Sequence, residues 1–191
     1  MKVNEIFYSL QGEGRRAGEP SIFVRLSECD LTCGFCDTEF ESGTDMEVED
    51  LANQLAEYPC KWIVWTGGEP TLQLTTAHVA FFKGLEYRQA IETNGNNPVP
   101  KGLDWVCVSP KVAEHVVAKN FPNGVDELRY VRHANQMAVP CPKVAAKHLY
   151  LSPRFDGNDM NQKNLQKCID LVLKNPEWKL SLQSHKLLNV L

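Results

Sequence analysis

The sequence lacks an apolar run approaching the roughly 20 residues that cross a membrane, and its opening, MKVNEIFYSLQGEG, has no apolar core of the signal-peptide kind. A cytoplasmic protein without membrane contact is the expectation. Positive charge is not in excess: 20 Lys and Arg stand against 24 Asp and Glu, a formal net charge of -4. Domains that grip a phosphate backbone are usually basic overall, so nucleic-acid binding is not expected. There is no internal repeat, low-complexity tract or linker, and 191 residues suffice for one sizeable core but are short for two. A single domain over 1–191 follows. With 43% hydrophobic and 23% charged residues the composition is that of a folded globular chain, which excludes disorder.

Cysteine is present in a number that excludes complete pairing. There are seven, and in a reducing compartment they are metal ligands, catalytic groups or buried fillers before they are disulfides. Cys60, Cys107, Cys141 and Cys168 are scattered, whereas Cys29, Cys33 and Cys36 stand as C-x3-C-x2-C. Three thiolates on one loop can hold three irons of a cubane and leave the fourth open to an external ligand. A structural zinc site normally has four ligands; no histidine lies near in sequence, although His185 could approach through the fold.

Strand-length apolar runs recur at 21–26, 62–66, 89–93, 105–109, 127–132, 148–152 and 179–183, rich in branched and aromatic residues. Val48, Leu51, Ala52 and Leu55 make a helical stripe, Thr76 to Leu85 a less regular one, and Leu165, Cys168, Ile169 and Val172 a third, with Asn161 as a candidate cap. Strands alternating with helices argue for an α/β fold with a mainly parallel sheet. A full eight-unit barrel needs about 250 residues. The expected architecture is an open, partial barrel of roughly six mainly parallel strands with few covering helices.

Chemistry in such sheets gathers at the C-terminal strand ends, and the polar segments fall there. The cysteine run follows SIFVRL, Thr66-Gly67-Gly68-Glu69-Pro70 follows WIVWT, Thr93-Asn94-Gly95 follows QAIET, and Ser109-Pro110-Lys111 follows WVCVS. Singly, each reads as an ordinary turn; together they argue for an enzyme. Glu92 sits at a strand end as either a substrate-contacting catalytic group or a surface charge.

The cysteine motif, with the aromatic Phe35 before its last cysteine, resembles the signature of the radical S-adenosylmethionine superfamily. The resemblance implies a [4Fe-4S] cluster on Cys29, Cys33 and Cys36 with S-adenosylmethionine chelating the open iron. One electron then cleaves the cofactor, and a 5′-deoxyadenosyl radical takes hydrogen from the substrate. It further implies cofactor contacts from Phe35, Gly68, Glu69, Ser109, Pro110, Lys111 and Ser152, although relatives often carry Gln where Ser152 stands.

SLQGEG (9–14), FVRL, the cysteine run with CDT, TGGEP, ETNG, SPK, YLSPRFDG and LQSHK together resemble the 7-carboxy-7-deazaguanine synthase family over most of the chain. That family's reaction is a radical ring contraction of 6-carboxy-5,6,7,8-tetrahydropterin with loss of ammonia, a lyase step toward queuosine and other 7-deazapurines. The resemblance implies that Leu10, Gln11, Gly12, Glu13, Thr66 and His185 face substrate and that Arg25 pairs with its carboxylate, a task suited to a guanidinium fork. Thr38 matches a magnesium-binding threonine; the metal would take oxygen ligands in an octahedral shell. A homodimer and a flavodoxin-like electron donor are also implied. Two readings compete: another radical enzyme, such as a glycyl-radical activase, or a non-catalytic iron–sulfur carrier or zinc module. A carrier would need no pocket at successive strand ends.

Overall fold

The computed structural model describes residues 1–34, 36 and 39–190. Nine strands form one sheet: β1 (Lys2–Leu10), β2 (Pro20–Leu26), β3 (Thr44–Asp45), β4 (Trp62–Gly67), β5 (Arg88–Thr93), β6 (Trp105–Val108), β7 (Val125–Arg132), β8 (Ala146–Pro153) and β9 (Trp178–Leu180). Their order is β3-β1-β2-β4-β5-β6-β7-β8-β9. β1 runs antiparallel to β2 and β3, and every pairing from β2 to β9 is parallel. The helices are α1 (Val48–Leu55), α2 (Thr76–Gly84), α3 (Glu114–Asn120), α4 (Gln162–Lys174) and α5 (Ser184–Leu188). The open, mainly parallel sheet with few helices is the expected architecture. It has seven strands in its parallel run, and β1, β3, α3 and α5 are additions to the elements read from periodicity.

Local chemistry explains the helices. Thr75 and His78 cap α2 reciprocally, the Thr75 hydroxyl accepting from the His78 N–H at 3.3 Å and the Thr75 N–H donating to His78 Nδ1 at 3.3 Å. Asn161 caps α4 as its position suggests, its Oδ1 accepting from the Asn164 N–H at 3.0 Å. Leu51 and Leu55 of α1 and Val79 and Phe82 of α2 pack on Ile22, Val24, Leu26, Ile63, Trp65 and Ile91. Farther along the sheet, Val117 of α3 and Cys168 and Leu171 of α4 pack on Val108, Leu128, Tyr130 and Leu151. All the helix-packed strand residues point one way, as the period of two requires.

The opposite face is concave. β1 and β9 are seven positions apart in the sheet, roughly 34 Å if it were flat. Yet Gly14, four residues past the end of β1, donates its N–H to the Ser181 hydroxyl just beyond β9 at 2.9 Å. Four residues reach at most about 14 Å, so the sheet must curl to bring its two ends together. Within the curl a small apolar layer of Phe7, Phe23, Val64 and Ala90 is buried, with Phe7 and Phe23 stacked at 4.8 Å.

Candidate active site

One register step above that layer the concave face turns polar. Arg25 lies opposite Thr66, Glu92 opposite Cys107, Cys107 opposite Glu127 and Glu127 opposite His148. Arg129, two residues beyond Glu127 on the same face, is the hub. Its Nε is 2.8 Å from Glu13 Oε2, its Nη1 is 3.2 Å from Glu127 Oε1, and its Nη2 pairs with Glu92 Oε2. Cys107 Sγ donates to Glu127 Oε1 at 3.5 Å. Three carboxyl groups around one guanidinium leave this largely buried cluster with more acidic than basic groups. Burial opposes the charge on Arg129, but Cys107 and the three carboxylates outweigh it and hold the guanidinium charged. Burial pushes the Glu92 carboxyl up, with Glu127 and Glu13 adding to the effect and Arg129 opposing it.

The second contributor enters from below. Because β1 is antiparallel to β2, its C-terminal end lies at the foot of the parallel strands, and the loop 11–19 turns up into the curl. Backbone bonds from the Gln11 N–H to the Glu19 carbonyl and from the Gly18 N–H to the Gln11 carbonyl, both 2.8 Å, close it on itself. Gln11 Nε2 donates to Glu92 Oε1 at 3.1 Å, and Gln11 Oε1 accepts from the Glu13 N–H at 3.2 Å. The Arg15 N–H donates to Glu127 Oε2 at 2.9 Å. Gly12 meets the start of α5: the Ser184 N–H and hydroxyl both donate to its carbonyl, at 3.0 and 2.6 Å. A Cβ on Gly12 would stand 2.0 Å from His185 Nδ1, so only glycine admits the histidine here. Gln11, Gly12, Glu13, Glu92 and His185, residues from both ends and the middle of the chain, are thus brought together. Leu10 ends β1 opposite Pro20 with an exposed side chain, outside this group.

At the upper rim the strand-end loops brace one another. Cys29, Cys33 and Cys36 lie on the loop after β2, and none of them is in a disulfide. Burial raises the Cys29 thiol, with Asp30 and Glu69 adding to it. The Cys36 N–H donates to the Cys33 carbonyl at 3.0 Å, drawing those two together in a turn. Asp30, between the first two cysteines, accepts from the side-chain amides of Asn94, Asn96 and Asn97 at 2.9, 2.8 and 2.8 Å. Burial works against its ionised form, but the amides of Asn96, Asn94 and Asn97 outweigh that and hold its carboxyl below the ordinary value.

Gly68 lies so close to this loop that a Cβ would sit 1.8 Å from the Glu28 carbonyl oxygen, and the Glu69 N–H donates to that carbonyl at 2.8 Å. The Glu69 side chain is wholly buried. Its carboxylate accepts from the Thr71 N–H and hydroxyl, the Thr93 hydroxyl and the Asn94 N–H, at 3.1, 2.6, 2.8 and 2.8 Å. Four donors fill its acceptor capacity, so this carboxylate ties the loop after β4 to the turn after β5.

Ser109 and Lys111 join the brace through backbone bonds to Thr93 and Asn94 at 2.8 and 3.0 Å, and Lys111 Nζ donates to Ser109 Oγ at 2.7 Å. Burial, then the charge of Arg129, lowers the Lys111 ammonium. Cys33, Pro110, Lys111, Tyr130, Arg132 and His133 are among the residues lining a cavity of about 330 Å³. Ser152 is buried on β8 opposite Val131. Arg25 sits level with Thr66, its Nε 3.0 Å from Glu5 Oε2 and its guanidinium 5.1 Å from the Phe7 ring centre. Phe35 and Thr38 lie outside the described residues.

Among the described residues no three His, Cys, Asp or Glu side chains are gathered in a metal-binding group. The chemistry of the donors nevertheless fits an iron–sulfur cubane with one open iron: three cysteine sulfurs share one braced loop. The other four cysteines are placed elsewhere: Cys107 within the curl, Cys168 in the α4 core, Cys60 near Pro20, and Cys141 exposed. The functional residues that pattern reading passed over are Arg129, Glu127, Asp30, Asn96 and Asn97. A signal existed for the first two, since opposite charges two apart on a strand flanked by apolar residues must share one face.

No family model matches the chain. It is 37% identical over 189 residues to the 7-carboxy-7-deazaguanine synthase of Bacteroides thetaiotaomicron, covering 99% of this chain and 98% of the relative. It is 38% identical over 217 residues to the enzyme of that name from Caulobacter vibrioides, with 98% of each covered. It is also 37% identical over 201 residues to that of Neisseria meningitidis serogroup B, with 97% and 92% covered. The fold is similar to the crystal structure of QueE from Escherichia coli, with a TM-score of 0.75, 22% identity, and 95% and 92% of the two chains covered.

Proposed function

The chain belongs to the 7-carboxy-7-deazaguanine synthase family, and on that premise we propose that it is a lyase that contracts the ring of 6-carboxy-5,6,7,8-tetrahydropterin to 7-carboxy-7-deazaguanine with loss of ammonia, in queuosine biosynthesis. The observation that carries the reading is the convergence of Gln11 and Glu13, from the loop after β1, on Glu92 and Arg129 within the curl.

Cys29, Cys33 and Cys36 would hold the [4Fe-4S] cluster. When bound, cluster and S-adenosylmethionine supply the electron and the hydrogen-abstracting radical. Phe35, Gly68, Ser109, Pro110, Lys111 and Ser152 are assigned to the cofactor. Glu69 serves it through the shape of its loop, since its carboxylate is already filled by chain donors. The chain's remaining work is to bind and orient. The excess of carboxyl groups over cations in the Arg129 cluster suits the N–H groups of an aminopyrimidine ring, which Glu13 and Glu92 Oε1 would accept. Glu92 is the catalytic candidate, since burial disposes its carboxyl to hold a proton beside the substrate. Arg25 Nε is engaged with Glu5, and its two Nη groups would form the fork that takes the substrate carboxylate. Gly12, Thr66 and His185 complete the substrate side, whereas Leu10, exposed at the end of β1, stands apart from it. Thr38 would supply a hydroxyl to Mg2+. A homodimer and a flavodoxin-type donor complete the proposal.

The test is anaerobic reconstitution with iron and sulfide, reduction, and addition of S-adenosylmethionine with the carboxytetrahydropterin. Release of 7-carboxy-7-deazaguanine supports the reading. No 5′-deoxyadenosine from protein with a verified cluster removes the radical chemistry. Cleavage of the cofactor without any deazaguanine removes the substrate and favours the activase alternative.

A further inference from the structure

The loop 11–19 has a second side. Gln11 and Glu13 face up into the curl, whereas Arg15, Arg16 and Glu19 face a cavity of about 200 Å³ at the foot of the strands, shared with Trp62, Arg88, Trp105 and His148. Trp62 and Arg88 open β4 and β5, Trp105 opens β6, and His148 lies near the start of β8. This is the end of the sheet remote from the cysteines, and nothing in the proposed reaction uses it.

We propose that this lower cavity, built from Arg15, Arg16, Arg88 and His148 with Trp62 and Trp105, is a binding site for a phosphate monoester dianion. Four observations converge. Arg16 is 4% exposed, and although its Nε and Nη2 are bonded to Glu19 and Ser21 at 3.0 and 2.9 Å, its buried Nη1 has no hydrogen-bond partner among the described residues. A buried donor without an acceptor is destabilising, the more so when charged, and an incoming oxyanion would satisfy it. The guanidiniums of Arg16 and Arg88 lie 3.7 and 4.1 Å from the centre of the same Trp62 ring. Two cations are therefore packed on one indole, and no carboxylate is hydrogen-bonded to Arg88 or to the Arg15 side chain among the described residues. The charges sum to three arginines against Glu19, a surplus of two positive charges that matches a dianion. His148, stacked on Trp105 at 5.8 Å, is held toward its neutral form by burial and by Lys179 and Arg15, so it donates without adding charge. The volume lies below the about 300–1,000 Å³ usual for whole drug-sized ligands. It holds a phosphate and the atoms next to it, with the remainder of the ester outside. Guanidinium forks favour phosphate over single-point anions.

The experiment is calorimetric titration of the full chain with inorganic phosphate, ribose 5-phosphate, AMP and adenosine, with tryptophan fluorescence followed in parallel. One-to-one saturable binding of a monoester, with adenosine silent, is expected; inorganic phosphate as the tightest ligand would name the free ion as the occupant within the same chemistry. Arg88→Gln and Arg15→Gln alter exposed side chains and should fold normally, checked by thermal denaturation, yet weaken binding about tenfold or more. Arg25→Ala, in the upper site, should leave the titration unchanged. Absence of saturable binding overturns the proposal, as does binding that survives Arg88→Gln and Arg15→Gln but is lost in Arg25→Ala. Saturation by an acidic peptide with none by monoesters would overturn it in favour of a protein partner.

Discussion

Replacing Arg129 with Met keeps an unbranched, shorter apolar stem and removes the cation that, among the described residues, pairs with Glu13, Glu92 and Glu127. The three carboxylates then face one another with side chains 15%, 20% and 2% exposed. Breaking a buried ion pair from one side costs about 3–5 kcal/mol, a large fraction of the about 5–15 kcal/mol that holds a domain of this kind together. Carboxylates so placed escape by taking up protons, which gives the loss a pH signature. Glu92 already has a folded-state pKa above its ordinary value. A group of that sign binds more protons folded than unfolded between the two pKa values, so its contribution to stability falls as pH rises through that window. Arg129 opposes the upward shift of Glu92, so without it that window extends upward. Urea denaturation from pH 5 to pH 8 should show Arg129→Met about 3–5 kcal/mol less stable than the parent at the alkaline end, with the gap closing toward pH 5. Arg129→Lys, which restores charge but not the three-way fork, should recover part of the difference. A gap of constant size across that pH range, or none at pH 8, would refute the account of Arg129 as the charge that offsets these carboxyl groups.

Three further outcomes are expected. Cys33→Ala should fail to assemble a cluster and lose cofactor cleavage together, read as iron content and 5′-deoxyadenosine; a variant that retains both would place the cluster elsewhere. Arg25→Ala should keep the cluster and raise KM for the carboxytetrahydropterin by about tenfold or more; an unchanged KM would detach Arg25 from the substrate carboxylate. Gly12→Ala drives a methyl to 2.0 Å from His185 Nδ1 and should lower both stability and substrate use. Added to it, His185→Ala should recover the stability by vacating the space, while substrate use stays low; a double variant no more stable than Gly12→Ala alone would contradict the packing.

The strand-end motifs were legible because each has a local cause. Branched and aromatic runs mark β2, β4 and β5, and the polar segment after each must fall at the sheet's C-terminal edge. Asn161 and the stripe of α4 were legible for the same reason. β1 was not: LysValAsnGluIlePheTyrSerLeu is half polar, and its identity comes from pairing with β2 across a bulge after Val3, a contact with no local signature. α5 was hidden by its length of five residues, too short to show a stripe. The site divides along the same line. The cysteine spacing and GGEP could be read as patterns, but the role of Glu69 could not, because its partners Thr93 and Asn94 lie more than twenty residues away. Asp30 reads as one acidic residue in a polar loop until the turn after β5 delivers three amides to it.

The segment Gln11 to Glu19 shows why so polar a loop can sit in the middle of a protein. Most of its backbone N–H groups are taken up by closure on itself and by Ser181 and Glu127, and Ser184 donates to the Gly12 carbonyl, so little of its backbone is left unpaired. Its side chains alternate in duty. Gln11 and Glu13 carry acceptors upward to Glu92 and Arg129, while Arg15 and Arg16 carry cations downward to Trp62. The loop is therefore the floor of the upper site and the ceiling of the lower one, with negative charge surplus above and positive charge surplus below. The curl of the sheet makes this possible, since only a rolled sheet lets four residues reach from the end of β1 to Ser181. Arg16 and Glu13 stand three residues apart on this one loop, so the upper and lower sites are built on a shared element.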